Sequence, residues 1–365
     1  MQSYLLMRGT TSVLSFHTER DLFDEVDAIE DLWLSQTRPL GYHDLTSFLE
    51  RRKAPKHRKH IEQLLERYDC LDLDGFLRVT HALSLNDTYW VKEENSSLTW
   101  EEVNLYENQF DELVSLAAFD GQISSTVLSS TSPEFGTDGY YAKCWVRESD
   151  GIYLYKGGSN HFEIEPLSEY LASQLAERIC PECVKYDLAI YHNRLISRCR
   201  LFTSEQDGLV KCNDLLPREK HSVRGLLAFF EEIDSGDAFR RMCILDALTL
   251  NVDRHYGNFG VMVDNQSTRI LRMAPVYDNN RCLLFDMDAD QLEKRLDWCV
   301  RRCKPAFGTS FVATARGLLT DGIRRDLEEL RTFRFAQHGK IEADGKRLEI
   351  LSAVVQNQAR QILEG

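Results

Sequence analysis

The densest run of polar, chemistry-bearing side chains in this 365-residue chain lies between residues 251 and 278, NVDRHYGNFGVMVDNQSTRILRMAPVYD. An apolar helical pattern stops at Asn251, and Asp253, Arg254, His255 and Asn258 then crowd a short polar loop. Two β-rich runs follow at 259–263 and 269–273, joined by Asp-Asn-Gln-Ser, and the second ends at Ala-Pro-Val-Tyr-Asp278. Such a hairpin carries Asp278 back towards Asn258. An Asp, an Asn and a second Asp brought to one place suit phosphoryl transfer. That reaction needs one carboxylate to orient an acceptor hydroxyl, and hard amide and carboxylate oxygens to hold Mg²⁺ against nucleotide phosphates. Taken singly, a polar capping loop and a turn aspartate are the commoner roles for these residues. Their combination around a hairpin favours chemistry.

Nucleotide phosphates also need a cation and a backbone cradle. Lys156 ends the run GIYLYK at 151–156, whose alternating apolar residues bury one face and aim the ammonium into a cleft. Lys143, in the run 140–147 (YYAKCWVR), is the weaker competitor. A carboxylate opposite the strand lysine is expected from the helical run 165–178 (EPLSEYLASQLAER), at Glu165 or, one turn on, at Glu169. The small-residue loop 129–139 (SSTSPEFGTDG), with Ser130 and Ser132, can drape backbone N–H groups over phosphates, although it lacks the G-x-x-x-x-G-K-[ST] of a P-loop. Adenine is expected near Leu201 and Phe202, with Thr203, Ser204 and Glu205 as the connection between lobes.

The elements that must position these residues fall into three zones. Residues 1–119 are mixed, with helical spacing at 43–52 and 57–68, and are expected to form an accessory or docking region. Residues 120–205 carry short β-rich runs: 140–147 and 151–156 joined by an Asp-Gly turn, then the helix 165–178 with Pro166 in its first turn, then runs at 188–191 and 195–202. Residues 206–365 are mostly helical, including 240–250 and 348–363, apart from the hairpin that leads to Asp278. The expected fold is α+β and two-lobed, a small β-rich lobe before a larger helical lobe, which is the layout of a protein kinase.

Composition removes several classes. Lys+Arg 44 against Asp+Glu 58 leaves a net charge of −14, which disfavours generic attraction to nucleic acid phosphates or anionic membrane. The basic run RRKAPKHRKH at 51–60 reads first as a solvated helix face. No stretch is apolar enough to span a bilayer, and residues 1–14 lack the apolar core of a secretory signal, so a cytoplasmic chain is expected. Ten cysteines then read as reduced thiols, since Cys180 and Cys183 have no second C-x-x-C to complete a zinc site.

The step from Asp253 to Asn258 matches the D-x-x-x-x-N of a kinase catalytic loop, and the stretch 253–278 resembles the catalytic segment of the HipA-like serine/threonine kinases, bacterial toxin-type enzymes. The D-R-H-x-x-N order is also similar to phosphatidylinositol 3- and 4-kinases. Residues 83–90 (LSLNDTYW) and 303–311 (CKPAFGTSF) resemble segments of a HipA-like subgroup with an N-terminal extension. There is no H-R-D before the base, and Tyr-Asp-Asn stands where eukaryotic kinases have D-F-G. The resemblance implies Asp253 as catalytic base, Asn258 and Asp278 as metal ligands, His255 as a support for the loop, Lys143 beside the phosphate-covering loop, and Glu165 opening the helix. It implies ATP and Mg²⁺ as cofactors, and self-phosphorylation at Ser129, Ser130, Thr131 or Ser132. It further implies a protein substrate such as an aminoacyl-tRNA synthetase or another translation component, and an antitoxin partner that supplies the DNA contact. A phosphoinositide-type lipid kinase and a catalytically silent nucleotide-binding scaffold are the competing readings.

Overall fold

The computed structural model describes residues 2–23, 25–55, 60–68, 70–121, 132–159 and 164–364. It divides into two compact units, the first made of Met1–Lys156, Leu201–Val210 and Met262–Ile270, the second of Gly157–Arg200, Lys211–Val261 and Leu271–Gly365.

The first unit begins with β1 (Gln2–Arg8), β2 (Thr11–Arg20) and β3 (Val26–Trp33), followed by α1 (Leu45–Glu50), α2 (Ile61–Arg67), α3 (Leu73–Thr80) and β4 (Tyr89–Glu93). The strands pair antiparallel in the order β3-β2-β1-β4. Gly9, at φ +52°, opens the two-residue turn between β1 and β2, a conformation that costs a glycine nothing. Tyr4, Leu6, Val13, Leu14 and Phe16 from the sheet meet Leu49, Phe76 and Leu77 from the helices in one buried cluster. This sheet stands where the sequence suggested only mixed, helix-leaning text. The alternation that marks a strand is broken there, because the ladder shifts register between Leu6 and Met7 and between Ser15 and Phe16, so apolar residues fall in adjacent pairs.

Beyond α4 (Trp100–Val103) and α5 (Glu112–Asp120) come β5 (Lys143–Glu148) and β6 (Gly151–Gly157). They form the expected hairpin, with Ser149 and Asp150 as its turn and Gly151 already paired to Glu148. Ile152 of β6 packs with Met7, Trp90 and Trp100, so the hairpin and the N-terminal sheet share apolar contacts within this unit.

In the second unit, α6 (Ile164–Ile179) leads to β7 (Tyr186–Tyr191) and β8 (Arg194–Arg200), joined by His192 and Asn193, both at positive φ as a tight hairpin turn requires. The strand-strand-helix-strand-strand order therefore stands as expected. The chain re-enters the first unit for most of β9 (Asp207–Lys211), returns to the second for α7 (Cys212–Leu215), α8 (Val223–Glu232) and α9 (Gly236–Thr249), and then forms the hairpin β10 (Gly260–Asp264) and β11 (Ile270–Met273), of which residues 262–270 count with the first unit. Four helices finish the chain: α10 (Ala289–Arg302), α11 (Phe311–Gly317), α12 (Asp321–Glu329) and α13 (Gly345–Leu363). The core of this unit is α9, whose Phe239, Met242, Ile244, Leu245 and Leu248 are buried, with α8, α11 and α13 packed on it. Phe230 stacks on Phe239 at 5.2 Å between ring centroids. No described helix is long and apolar enough to cross a membrane.

Candidate active site

The polar loop starts where α9 runs out. Leu250 takes a left-handed conformation at φ +53° and closes the helix by donating to the Asp246 carbonyl. One residue later Asn251 donates its side-chain Nδ2 to the Asp246 carboxylate at 3.0 Å, while its Oδ1 accepts from the Asp253 backbone N–H at 3.0 Å. Asp253 is thus presented by a buried asparagine, not by chance loop geometry.

Arg254 points the opposite way and is fully buried. Its Nε lies 3.2 and 3.1 Å from the two oxygens of Asp246, and Nη2 lies 3.1 Å from the first of them. Its Nη1 donates to the carbonyls of Asn258, at 2.9 Å, and Tyr277, at 2.7 Å, and Nη2 also reaches Asn279 Oδ1. One guanidinium thereby ties the loop that holds Asp253 and Asn258 to the backbone on both sides of Asp278. Only arginine offers five donors in a fixed fork for this. Burial alone would lower its pKa and raise that of Asp246, but the pairing prevails at Arg254, whose pKa is raised, so the guanidinium stays charged.

Within the loop, the Asn258 N–H donates to the His255 carbonyl at 2.9 Å and Asn258 Nδ2 to the Asp253 carbonyl at 2.9 Å. With Nδ2 committed, Oδ1 is the ligand atom that Asn258 has to offer. His255 is exposed, and its Nδ1 accepts from the Gly257 N–H at 3.1 Å, a contact that serves the shape of the loop. Asp253 is partly exposed, with Arg281 Nη1 3.4 Å from its carboxylate.

Asp278 sits at φ +56°, a left-handed conformation that aspartate tolerates better than most residues. Its N–H donates to the Tyr186 hydroxyl at 3.1 Å, and the neighbouring Tyr277 hydroxyl donates to the Gly257 carbonyl at 3.1 Å. Val276 pairs in parallel with Cys183, flanked by Val184 N–H to Val276 carbonyl at 2.9 Å and Val276 N–H to Glu182 carbonyl at 3.1 Å. The Cys-Pro-Glu-Cys segment therefore serves as a backbone rail for the strand that ends at Asp278, and none of the ten cysteines is in a disulfide.

Glu165 and Glu169 are both buried on α6. Glu165 accepts from the Ser159 N–H at 3.1 Å, and Glu169 accepts from the Ser197 hydroxyl at 2.6 Å. The Tyr186 hydroxyl is pushed well above its usual pKa by burial, and then by the charges of Glu169 and Asp278 among others. Lys211 and Asp214, absent from the sequence expectations, also belong here. Burial lowers the Lys211 pKa, against the charges of Asp214 and Asp278. Short backbone bonds join this segment to the loop, from Cys212 N–H to the Phe259 carbonyl and from Asn213 N–H to the Tyr256 carbonyl, each 3.0 Å.

In the first unit, Lys143 and Lys156 are direct cross-strand partners on β5 and β6 and both are buried. Lys143 Nζ donates to the Asp138 carbonyl at 2.6 Å, in the small-residue loop. Ser132 is buried with its hydroxyl donated to Glu134, a fully buried carboxylate that also accepts from Ser115 Oγ at 2.9 Å and the Trp145 N–H at 2.8 Å. Ser129, Ser130 and Thr131 lie outside the described residues. Leu201 is partly buried against the cluster of Trp90 and Trp100, and Phe202 is partly buried beside it. Thr203, Ser204 and Glu205 lie inside the first unit, where Thr203 Oγ1 donates to the Leu85 carbonyl and Glu205 accepts from Trp100 Nε1 at 2.7 Å. The chain changes unit on either side of them, at Arg200/Leu201 and at Val210/Lys211.

Among solved structures, this chain superposes on HipA in the Shewanella oneidensis MR-1 toxin–antitoxin complex of HipA, HipB and operator DNA, with a TM-score of 0.53 over 99% of both chains at 11% identity. The fold is that of the HipA-like kinases. The proinflammatory kinase CtkA of Helicobacter pylori is also similar, at a TM-score of 0.48 and 17% identity over 64% of this chain and 92% of that one. No protein-family model and no curated protein sequence matches the chain. At 11% identity the likeness is one of fold, while the loop-and-hairpin arrangement from Asp253 to Asp278 is legible in the residues themselves.

Proposed function

We propose that this chain is an ATP- and Mg²⁺-dependent protein serine/threonine kinase of the HipA type, capable of phosphorylating itself. The observation that carries the reading is the Arg254 clamp, which binds the carbonyls of Asn258 and Tyr277 and so fixes the Asp253 loop against the Asp278 arm. In this reading Asp253 accepts the proton of the acceptor hydroxyl as that oxygen forms its bond to the γ-phosphorus and the bond to the β,γ-bridging oxygen breaks, releasing ADP. Asn258 and Asp278 would hold the metal. The donor set would fit Mg²⁺, because an amide oxygen left available by the anchoring of Nδ2 and a carboxylate are both hard ligands. Bound Mg²⁺ neutralises charge on the phosphates.

Lys156 is assigned to the phosphates with Lys143 beside it, and Glu165 or Glu169 to the carboxylate that positions the strand lysine. Leu201 and Phe202 are assigned to the adenine. Self-phosphorylation is assigned to the hydroxyls of residues 129–132. The HipA neighbour was solved with HipB and operator DNA, which supports an antitoxin partner for this chain as well. The acceptor proposed is a protein such as an aminoacyl-tRNA synthetase or another translation component, and a net charge of −14 leaves DNA contact to the partner.

The test is intact mass and peptide mapping after incubation with Mg²⁺ and ATP, with Asp253→Asn alongside. A gain of about 80 Da, one phosphoryl group, on the wild type only supports the reading. Equal phosphorylation of both proteins removes Asp253 from its role. No gain in either, with nucleotide bound, returns the fold to a silent scaffold.

A further inference from the structure

The proposed catalytic loop also carries an aromatic side chain. Tyr256, three residues beyond Asp253, lines a cleft of about 570 Å³ together with His221, Ser222, Phe307, Thr309 and Thr314. Phe307 and Thr314 also line a small cavity beside Asp246, Asn251 and Arg254, whereas Asp253, Asn258 and Asp278 do not line the cleft. The His221 ring lies flat on Tyr256, centroids 3.9 Å apart and planes 15° apart, and His221 Nε2 bonds the Leu216 carbonyl at 3.0 Å. Phe307 is held from behind by Phe259 and Phe239, with centroids 5.9 and 6.4 Å away. The floor is therefore a fixed aromatic platform. The walls are hydroxyls and small residues, and a side chain built at Gly317 meets nothing within 4 Å.

The flanks of the cleft are basic in an acidic protein. The segment 217–225 (PREKHSVRG) carries Arg218, Lys220 and Arg224 against Glu219, and 303–318 (CKPAFGTSFVATARGL) carries Lys304 and Arg316 with no acid. Arg218, Lys220, Arg224 and Lys304 are exposed. These segments sum to 5 − 1 = +4 in a chain of net −14. Few chain steps separate Tyr256 from Asp253, at roughly 3.3–3.6 Å per extended residue. A polypeptide lying on the aromatic floor is thus within reach of the base. The volume falls in the range of ligand clefts, about 300–1,000 Å³, which accommodates a few extended residues.

We infer that this cleft docks an extended, acidic segment of the acceptor polypeptide, next to the hydroxyl that Asp253 would activate. The inference rests on the kinase reading and names the acceptor chemistry it left open. A nucleic acid strand is the other polyanion that a basic rim could attract, but the charge of the whole chain opposes a long polyanion while the local excess suits a short one.

The experiment measures binding and transfer separately on the full chain. The probes are a fluorescent synthetic peptide with a central serine flanked by glutamates, its lysine-flanked counterpart, and an unlabelled oligothymidylate as competitor. Variants are Lys220→Glu with Lys304→Glu, which reverses two exposed charges, and Gly317→Leu, which puts bulk into open space. Expected is selective binding of the glutamate peptide, weakened about ten-fold by either variant, with ATP binding unchanged. Equal affinity for both peptides, indifference to both variants, or displacement by oligothymidylate at matched charge overturns the cleft assignment. Binding that follows this pattern without phosphoryl transfer leaves the cleft standing and removes the kinase reading. Transfer that ignores flanking charge does the reverse, and absence of both overturns both.

Discussion

Arg254 and Asp246 form a buried ion pair in which Nε faces both carboxylate oxygens, at 3.2 and 3.1 Å, and the remaining donors of Arg254 reach the loop and arm that carry Asn258 and Asp278. The pair joins the end of an apolar helix to the two segments proposed to be catalytic, so stability and the proposed chemistry depend on one side chain. Arg254→Met leaves Asp246 buried without its cation, which costs about 3–5 kcal/mol. Arg254→Lys keeps the charge and loses the fork, so it should retain the fold while lowering transfer at least ten-fold. Thermal unfolding and single-turnover transfer on both variants separate the two effects.

The same variant has a pH signature. Burial already raises the Asp246 pKa, and without Arg254 that shift grows. A carboxyl with a folded-state pKa above its unfolded value binds more protons when folded, so its stability contribution falls as pH rises through that window. Arg254→Met should therefore lie closer to the wild type in melting temperature near pH 5 than at pH 8. A deficit that does not change with pH contradicts the assignment.

The site residues differ in what they should break. Asp253→Asn keeps the hydrogen-bonding outline and removes the base, so transfer should drop by about 10²–10⁴ with nucleotide affinity little changed. Asp278→Ala and Asn258→Ala should weaken Mg·ATP at least ten-fold while leaving Mg²⁺-free nucleotide binding nearly intact. Titration of a fluorescent ATP analogue with and without Mg²⁺ reads the split.

In the first unit, His81 is one of the pH-sensitive groups. It takes a left-handed conformation at φ +51°, its Nδ1 bonds the Val91 carbonyl at 3.1 Å, and burial lowers its pKa below the ordinary 6.5. The folded state favours neutral imidazole, so stability is fully present above 6.5 and is lost as pH falls from there to the folded pKa. His81→Asn, which tolerates the same backbone, should melt with a shallower dependence between pH 7 and pH 5 than the wild type.

The parts of the fold legible in the sequence are those whose signals are local. The β5–β6 hairpin announced itself through its turn, α6 through Pro166 and its leucine spacing, and the stretch from α9 to Asp278 through an apolar run broken by a polar loop. The N-terminal sheet was hidden because two register shifts spoil its alternation. The clamp was hidden for a different reason. Arg254 stood inside the motif, but its meaning lies in Asp246, eight residues upstream, whose visible signal was a lone acid in the otherwise apolar run CILDALTL. The Cys-Pro-Glu-Cys segment owes its role to pairing with Val276, a long-range contact that no spacing rule reveals. Lys211 and Asp214 lay between expected elements, and what singles them out is the burial of the Lys211 ammonium beside the charges of Asp214 and Asp278.

Lys143 and Lys156 offer the last test. Direct cross-strand partners with like charge repel one another, and here both are buried, each with polar contacts of its own. Lys156→Met removes one of the two charges, and the proposed role is read from the response to nucleotide. The cost appears on adding ATP. A ligand present at one hundred times its dissociation constant stabilises a protein by about 2.7 kcal/mol, and that rise in melting temperature should shrink sharply in Lys156→Met and less in Lys143→Met. If Lys156→Met destabilises the nucleotide-free protein and keeps the full ATP-induced shift, the lysine is structural and the phosphates are held elsewhere.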